Sequence, residues 1–348
     1  MRRWLIGIVL PIALLAGCPR DSGPSVVVYV SADEYIARQV FTAFEEATGI
    51  RVRFVGDTEA KKTTGLIARL RAEADNPQAD VFWSSEIFMT IGLADDGLLE
   101  PLESEATSDW PAQWRDPQRR WHGFGARARV IVYAPQRVAA EERPETWMDL
   151  TDSYWKGRLV MADPRFGTTG GHLGAIKAYW DREFQPGIYT AFLMGLADND
   201  TRLLPNGNAG VVAAVASGEA DVGLTDTDDV WAAQAQGRDV QLIYPAHSNK
   251  PGATGIGTLL IPNTVGLVKG GPNPQEARRF IDFLLSERVE RMLAESVSHN
   301  VPLRPGLAAD YPDFAVPDPL RIDYRLAAAQ RDEAVALAMR YLKSGHAP

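Results

Sequence analysis

The stretch Asp221-Val222-Gly223-Leu224-Thr225-Asp226-Thr227-Asp228-Asp229-Val230-Trp231 decides how this chain is read. A short apolar strand ends, three carboxylates fall within four positions, and Trp231 to Gln236 reads as the start of a helix. Carboxylates at the carboxyl end of a strand stand where open α/β sheets bind ligands. The same residues also suit an acidic helix cap, because Asp and Thr are ordinary capping residues. Either way the chain passes from strand to helix at this point.

Working outward, Asn206-Gly207-Asn208 leads into a small-residue helix from Val211 to Ser217, and Gly218-Glu219-Ala220 turns into the quoted strand. Arg158 to Met161 is another short strand, which ends at Asp163-Pro164-Arg165-Phe166-Gly167-Thr168-Thr169-Gly170-Gly171-His172. Leu173, Ile176 and Trp180 then keep a helical register. Strand, Gly/Thr-rich turn and helix together present free backbone N–H groups to an anion. A plain well-capped helix has the same pattern, and no Gly-Lys-Ser/Thr follows, so this is not a P-loop. Gly125 to Tyr133 is a strand with Arg127 and Arg129 on one face, placed to pair with an anion, with the acidic floor, or in structural salt bridges.

The earlier part of the chain repeats the alternation. Val26 to Val30 is a β-branched run of the kind buried on both faces. Ser31-Ala32-Asp33-Glu34 follows as a loop, and Ile36, Val40, Phe41 and Phe44 recur at helical spacing until Gly49. Arg51 to Val55 alternates, Leu66, Ile67 and Leu70 mark a second helix, and Asp80 to Trp83 a third strand. This is a doubly wound α/β pattern. Its ligand side lies beyond the strand ends, at Ser31 to Glu34 and at Ser84-Ser85-Glu86. Residues 101–120 carry no period and read as connection. Leu242 to Pro245 and Thr258 to Pro262 read as strands, Pro274 to Leu293 as one amphipathic helix, and Arg325 to Leu342 as a late helix.

At the amino terminus Arg2 and Arg3 precede an apolar run from Trp4 to Ala16 that closes on Leu15-Ala16-Gly17-Cys18. A charged start, a short apolar segment and a small-residue cleavage site form a secretory signal, residues 1–17. The ending looks like a bacterial lipoprotein signal, with Cys18 lipidated as the first mature residue and residues 18–25 as a tether. Cys18 is the only cysteine, so no internal disulfide forms. Losing residues 1–17 removes Arg2 and Arg3 and no acid, which takes the net charge from −9 to −11. Such a surface repels nucleic acid and anionic bilayers.

Nearly the whole mature chain resembles the periplasmic ferric-ion-binding branch of ABC-importer solute-binding proteins. The carrying segments are VVVYVSADE, FTAFEEATGIRV, ADVFWSSE with GLADDGLLEPL, GARARVIVYAP, FGTTGGH, NGNAGVVAAVASGEADVGLTD, and the EARRFIDFLLS helix with Asn300-Val301-Pro302-Leu303-Arg304. The resemblance implies a two-lobed type II periplasmic binding protein fold, two doubly wound α/β sheets joined by crossing hinge strands. Residues 24–120 and 246–300 form lobe 1, and 121–245 and 301–348 lobe 2. The implied protein is a monomer, held to the membrane only by its lipid anchor in the periplasm or at the cell surface. It docks on an ABC permease of the cytoplasmic membrane and needs no cofactor, ferric iron (Fe3+) with a bound anion being its implied transported ligand.

By the same resemblance the family's first-loop ligand falls at Asp33, beside Ser31 and Glu34, and its acidic ligand after the third strand at Ser85, with Ser84 and Glu86 adjacent. The anion-binding helix start matches Thr168, Thr169, Gly170 and Gly171, with Asn208 and Asp226. The adjacent tyrosine pair that grips ferric iron matches Asp228 and Asp229, so two phenolate donors are missing. Three ligand readings follow. A metal is held by Asp33, Glu86, Asp228 and Asp229, since carboxylates suit hard cations. A zwitterion such as an aminoalkylphosphonate sets its amine at the aspartates and its phosphonate at Thr169 and Gly170. An organic cation, thiamine or a polyamine, binds with no anion.

His122, His172, His247 and His299 share no ligand spacing, and His172 stands nearest the Gly-rich turn. Trp83, Trp121 and Trp231 either stack on an organic ligand or fill core. A secreted hydrolase is the competing class, but no Gly-x-Ser-x-Gly, His-Glu-x-x-His or Cys/His pair is present, and Asp228 and Asp229, being adjacent, do not flank one bond. A sensory binder for a receptor kinase shares every feature described so far.

Overall fold

The computed structural model describes residues 23–56, 63–108, 110–247 and 254–344. Residues 1–17, expected to be a signal segment, and Cys18 to residue 22 of the expected tether lie outside them. The first part of the chain runs β1 (Ser25–Val30), α1 (Glu34–Thr48), β2 (Arg51–Gly56), α2 (Thr64–Ala72), β3 (Val81–Ser84), α3 (Phe88–Asp95) and β4 (Leu99–Glu100). Gly49 ends α1 at φ 71°, where a Cβ is strained, and its N–H closes on the Glu45 carbonyl at 2.8 Å. A single strand of twelve residues, β5 (His122–Tyr133), then leads away.

The second part comprises β6 (Leu159–Ala162), α4 (Gly167–Glu183), α5 (Ile188–Asp198), β7 (Arg202–Leu204), α6 (Gly207–Ser217), β8 (Val222–Asp226), α7 (Thr227–Ala235) and β9 (Gln241–Ile243). The chain returns through β10 (Leu260–Val268), α8 (Pro274–Leu284) and α9 (Glu287–Glu295), and closes with α10 (Tyr324–Ser344).

The strands hydrogen-bond in the order β2-β1-β3-β10-β5-β8-β6-β7, with β4 on β10 and β9 on β5. The pairs β1–β2, β1–β3, β6–β7 and β6–β8 are parallel, and both β10 and β8 run antiparallel to β5. His122 to Ala128 of β5 pair with β10, and Arg129 to Tyr133 pair with β8. One strand therefore serves two parallel-centred half-sheets, which gives the expected two-lobed α/β architecture with a crossing strand. Each half buries its own apolar strands: Val26, Val28, Val81 and Phe82 in one, Leu159, Val160, Val222 and Leu224 in the other, all fully buried. Each such side chain contributes roughly 1.5–3 kcal/mol, so burial of these short apolar runs is what holds the segments in the sheet.

Two expectations need correction, and two helices lay outside any expectation. The helix from Pro274 breaks at Ser286, whose hydroxyl accepts from the Val289 N–H at 3.4 Å and caps α9, so two helices replace one. The strand at Thr258 to Pro262 instead runs from Leu260 to Val268, and the register shifts between Pro262 and Asn263, a bulge that accommodates the missing proline N–H. The helices α3 and α5 show no amphipathic period because they are apolar on nearly every face, with Phe88, Ile91, Leu93, Phe192, Leu193 and Leu196 buried.

The two halves also meet beside the crossing strand. The Phe88 ring of α3 lies against Gly171 of α4, where a Cβ would come within 2.0 Å of it. The Tyr324 hydroxyl donates to the Leu260 carbonyl at 2.6 Å, and Arg325 reaches the buried Asp116 at 2.9 Å. No helix among the described residues is long and apolar enough to cross a membrane.

Candidate ligand-binding site

The carboxyl ends of β3, β6, β7 and β8 converge on one cleft, where a doubly wound topology binds its ligands. It holds about 540 Å³ of empty space, the open mouth included, and is lined by Ser85 and Arg127 on one side. The opposite wall is Asp163, Phe166 to Thr169, Pro205, Asn208, Asp226, Asp228 and Asp229. Oxygens of Asp226, Asp228 and Asp229 all lie within 4.8 Å of one another.

Asp226 occupies the cap position of α7 yet makes no capping bond. Its Oδ1 accepts from Arg129 Nη1 at 2.8 Å, and its Oδ2 from Thr168 Oγ1 at 2.6 Å and Asn208 Nδ2 at 2.7 Å. Arg129 and Asp226 are 0% and 2% exposed. A buried ion pair whose carboxylate is hydrogen-bonded through both oxygens is a fixed node that sets Thr168 and Asn208 in the wall, and breaking either partner leaves a buried charge. The Thr227 hydroxyl accepts from the Ala128 N–H at 3.0 Å, which pins the start of α7 to β5.

Arg127 approaches Asp228 with Nε 3.0 Å from Oδ2. Its Nη1 donates to the Ser85 carbonyl at 3.0 Å, and its Nη2 to Asn263 Oδ1 at 3.3 Å. Burial opposes its charged form, but Asp228, Asp226, Asp33 and Asp229 more than offset it and hold the guanidinium above its ordinary pKa. All four aspartates act on this one arginine, although Asp33 of the first loop does not itself line the cleft. Both arginines flagged in the sequence are ion-paired to the acidic floor.

On the opposite wall, α4 begins at Gly167, with φ +58°, so the N–H groups of Gly167, Thr168 and Thr169 have no acceptor within their own helix. Thr168 and Thr169 line the cleft as expected. Gly170 and Gly171 do not: they are already inside the helix, and their missing side chains admit the Pro164 carbonyl, α10 and the Phe88 ring.

Other residues take structural places. Glu86 is 0% exposed and turns away into the start of α3, accepting from the Phe88 N–H at 2.8 Å and from the Met89 N–H. Burial pushes its pKa up to about 7, against the pull of Arg331, those N–H groups and Arg127. Glu34 is exposed and pairs with Arg38 one turn on. Ser31 accepts from the Ser85 N–H at 2.9 Å and orients that loop, and Ser84 accepts from the Glu86 N–H. His172 lies fully buried against Trp147, ring centres 4.4 Å apart, and burial holds it neutral. Trp83 and Trp121 are core, and Trp231 packs on His299 and Phe314.

The sequence reading passed over Asp163, Phe166 and Pro205 in the wall, although Asp163 ends a strand as Asp226 does. It also passed over Asn263, which holds Arg127, and Tyr35, a half-exposed phenol within electrostatic reach of Asp33, Asp228 and Asp229 that hydrogen-bonds Ser298.

A cleft between two α/β halves, walled by charge of both signs, suits capture of a small polar solute. The chain is 29% identical over 313 residues to iron uptake protein A1 of Synechocystis, covering 86% of this chain and 82% of that protein. It is 27% identical over 304 residues to a putative 2-aminoethylphosphonate-binding periplasmic protein of Salmonella paratyphi A, covering 85% and 84%. Its fold superposes on iron-bound HitA from Pseudomonas aeruginosa with a TM-score of 0.77 at 25% identity, over 91% of this chain and 99% of that one. Residues 30–291 match the bacterial extracellular solute-binding protein profile, and this chain belongs to that family.

Proposed function

We propose that this protein is the extracytoplasmic capture component of an ABC importer. It takes ferric iron together with an accompanying anion into the cleft and delivers it to a permease of the cytoplasmic membrane, tethered through a lipid on Cys18. The observation that carries this reading is the cluster of Asp226, Asp228 and Asp229 oxygens within 4.8 Å, beside the Thr168–Thr169 helix start. Hard carboxylate oxygens suit a trivalent ion, and the first turn of α4 suits its anion. The likeness to iron uptake protein A1 and to iron-bound HitA points the same way.

A second reading has its own observation. Arg127 and Arg129 already sit on two of the three aspartates, which fits a small zwitterion such as an aminoalkylphosphonate, whose amine and phosphonate each meet an opposite charge. The relative named for 2-aminoethylphosphonate supports it. Thermal-shift titration of the purified protein separates the two. A ligand at 100 times its Kd adds about 2.7 kcal/mol of stability. A shift with ferric ion and carbonate supports the first reading, and a shift with 2-aminoethylphosphonate but not iron replaces the cargo. No shift with either, nor with divalent metals, thiamine or polyamines, refutes the capture reading.

A further inference from the structure

The three-aspartate cluster has the spacing of a cation site, but arginines already answer two of its three charges. Asp226 gives three of its roughly four acceptor sites to Arg129, Thr168 and Asn208. Any metal in the cluster would rest on Asp228 and Asp229, and Arg127 stands 3.0 Å from Asp228. That contact is an ion pair without an aligned hydrogen bond, since Arg127 Nε makes none. Nη1 and Nη2, by contrast, are anchored to Ser85 and Asn263. The guanidinium is therefore held by neutral acceptors from the first half and presented to the acidic wall of the second.

We propose that Arg127 is the specificity-determining residue of the cleft, a resident cation that excludes a bare metal ion from Asp228 and Asp229 and admits a solute presenting an oxyanion group. The inference rests on the reading of this cleft as the cargo site. A metal at Asp228 has to share that carboxylate with a fixed positive charge in a partly buried place, where repulsion is poorly screened. An oxyanion meets the guanidinium fork, and across the cleft the N–H groups of Thr168 and Thr169. Iron entering as an anion complex and an aminoalkylphosphonate both satisfy this rule, because each brings its own negative oxygens.

The test compares wild type, Arg127→Gln, Arg127→Lys and Arg127→Gln with Asp228→Asn. The probes are terbium(III) alone, read by luminescence, and citrate, phosphate and 2-aminoethylphosphonate, read by calorimetry. Arg127→Gln is expected to gain at least roughly tenfold in terbium affinity, about 1.4 kcal/mol, and to lose as much for the oxyanion that wild type binds. Adding Asp228→Asn removes the carboxylate that Arg127 faces and is expected to abolish the gain. Arg127→Lys keeps the charge without the fork, so it continues to exclude terbium while binding the oxyanion at least roughly tenfold more weakly.

Equal terbium affinity in wild type and Arg127→Gln overturns the proposal. So does unchanged oxyanion affinity in Arg127→Lys, even where Arg127→Gln fails to fold. Tight 1:1 binding of bare terbium by wild type overturns it while leaving the iron reading standing. Binding of citrate or phosphate, but of neither iron with carbonate nor 2-aminoethylphosphonate, refutes the cargo reading and leaves the role of Arg127 intact.

Discussion

Replacing Glu86 by Gln decides whether this carboxyl serves the ligand or the fold. Its carboxyl is completely buried at the start of α3, and burial raises its pKa from 4.5 to about 7. A raised folded pKa means that the native state holds the proton more tightly than the unfolded chain does. The stability this gives is complete below pH 4.5 and is lost as pH rises through about 7. At about 1.36 kcal/mol per pH unit the loss comes to roughly 3 kcal/mol. Gln has the shape and charge of the protonated form and does not titrate.

Wild type and Glu86→Gln should therefore be close in stability at pH 5, while at pH 8 the variant should be more stable by up to about 3 kcal/mol. Urea unfolding followed by circular dichroism at both pH values measures this. Comparing the two proteins at the same pH cancels buried His122 and His172, whose depressed pKa values remove stability as pH falls below the ordinary imidazole value. An identical pH slope in both proteins, with ligand affinity lost in the variant, would refute the capping assignment and return Glu86 to the ligand set.

Gly171→Ala drives a methyl into the Phe88 ring. Overpacking of about 1–3 kcal/mol, less about 1 kcal/mol of helix propensity gained, should lower the melting temperature, and adding Phe88→Leu should restore it. Arg129→Met leaves Asp226 buried without its guanidinium, and chemical denaturation should show a loss of about 3–5 kcal/mol. Asp228→Asn with Asp229→Asn should leave the far-UV spectrum unchanged but weaken ligand binding by about 2–5 kcal/mol in calorimetry. Unchanged affinity would remove the acidic wall from the site.

The chain by itself fixed the alternation of strands and helices, because short apolar runs such as Val26–Val30 and Val222–Leu224 form mostly buried strands almost wherever they fall. It also placed the acidic turn after β8 at a strand's carboxyl end, where the topology makes a cleft, and set Arg127 and Arg129 on one face of a strand. The helices α3 and α5 stayed hidden because a helix with apolar residues on nearly every face carries no clear period. Side-chain direction was likewise beyond the sequence. Glu86 is one residue from Ser85, yet backbone N–H groups of α3 draw it inward, while the Ser85 carbonyl faces Arg127. Gly170 and Gly171 match an anion loop in sequence, but α4 starts three residues earlier and their bare α-carbons receive α10 and Phe88. Which carboxylates are already answered by arginines depends on β5 crossing between the halves, a contact of residues about a hundred positions apart that only tertiary structure brings within 3 Å.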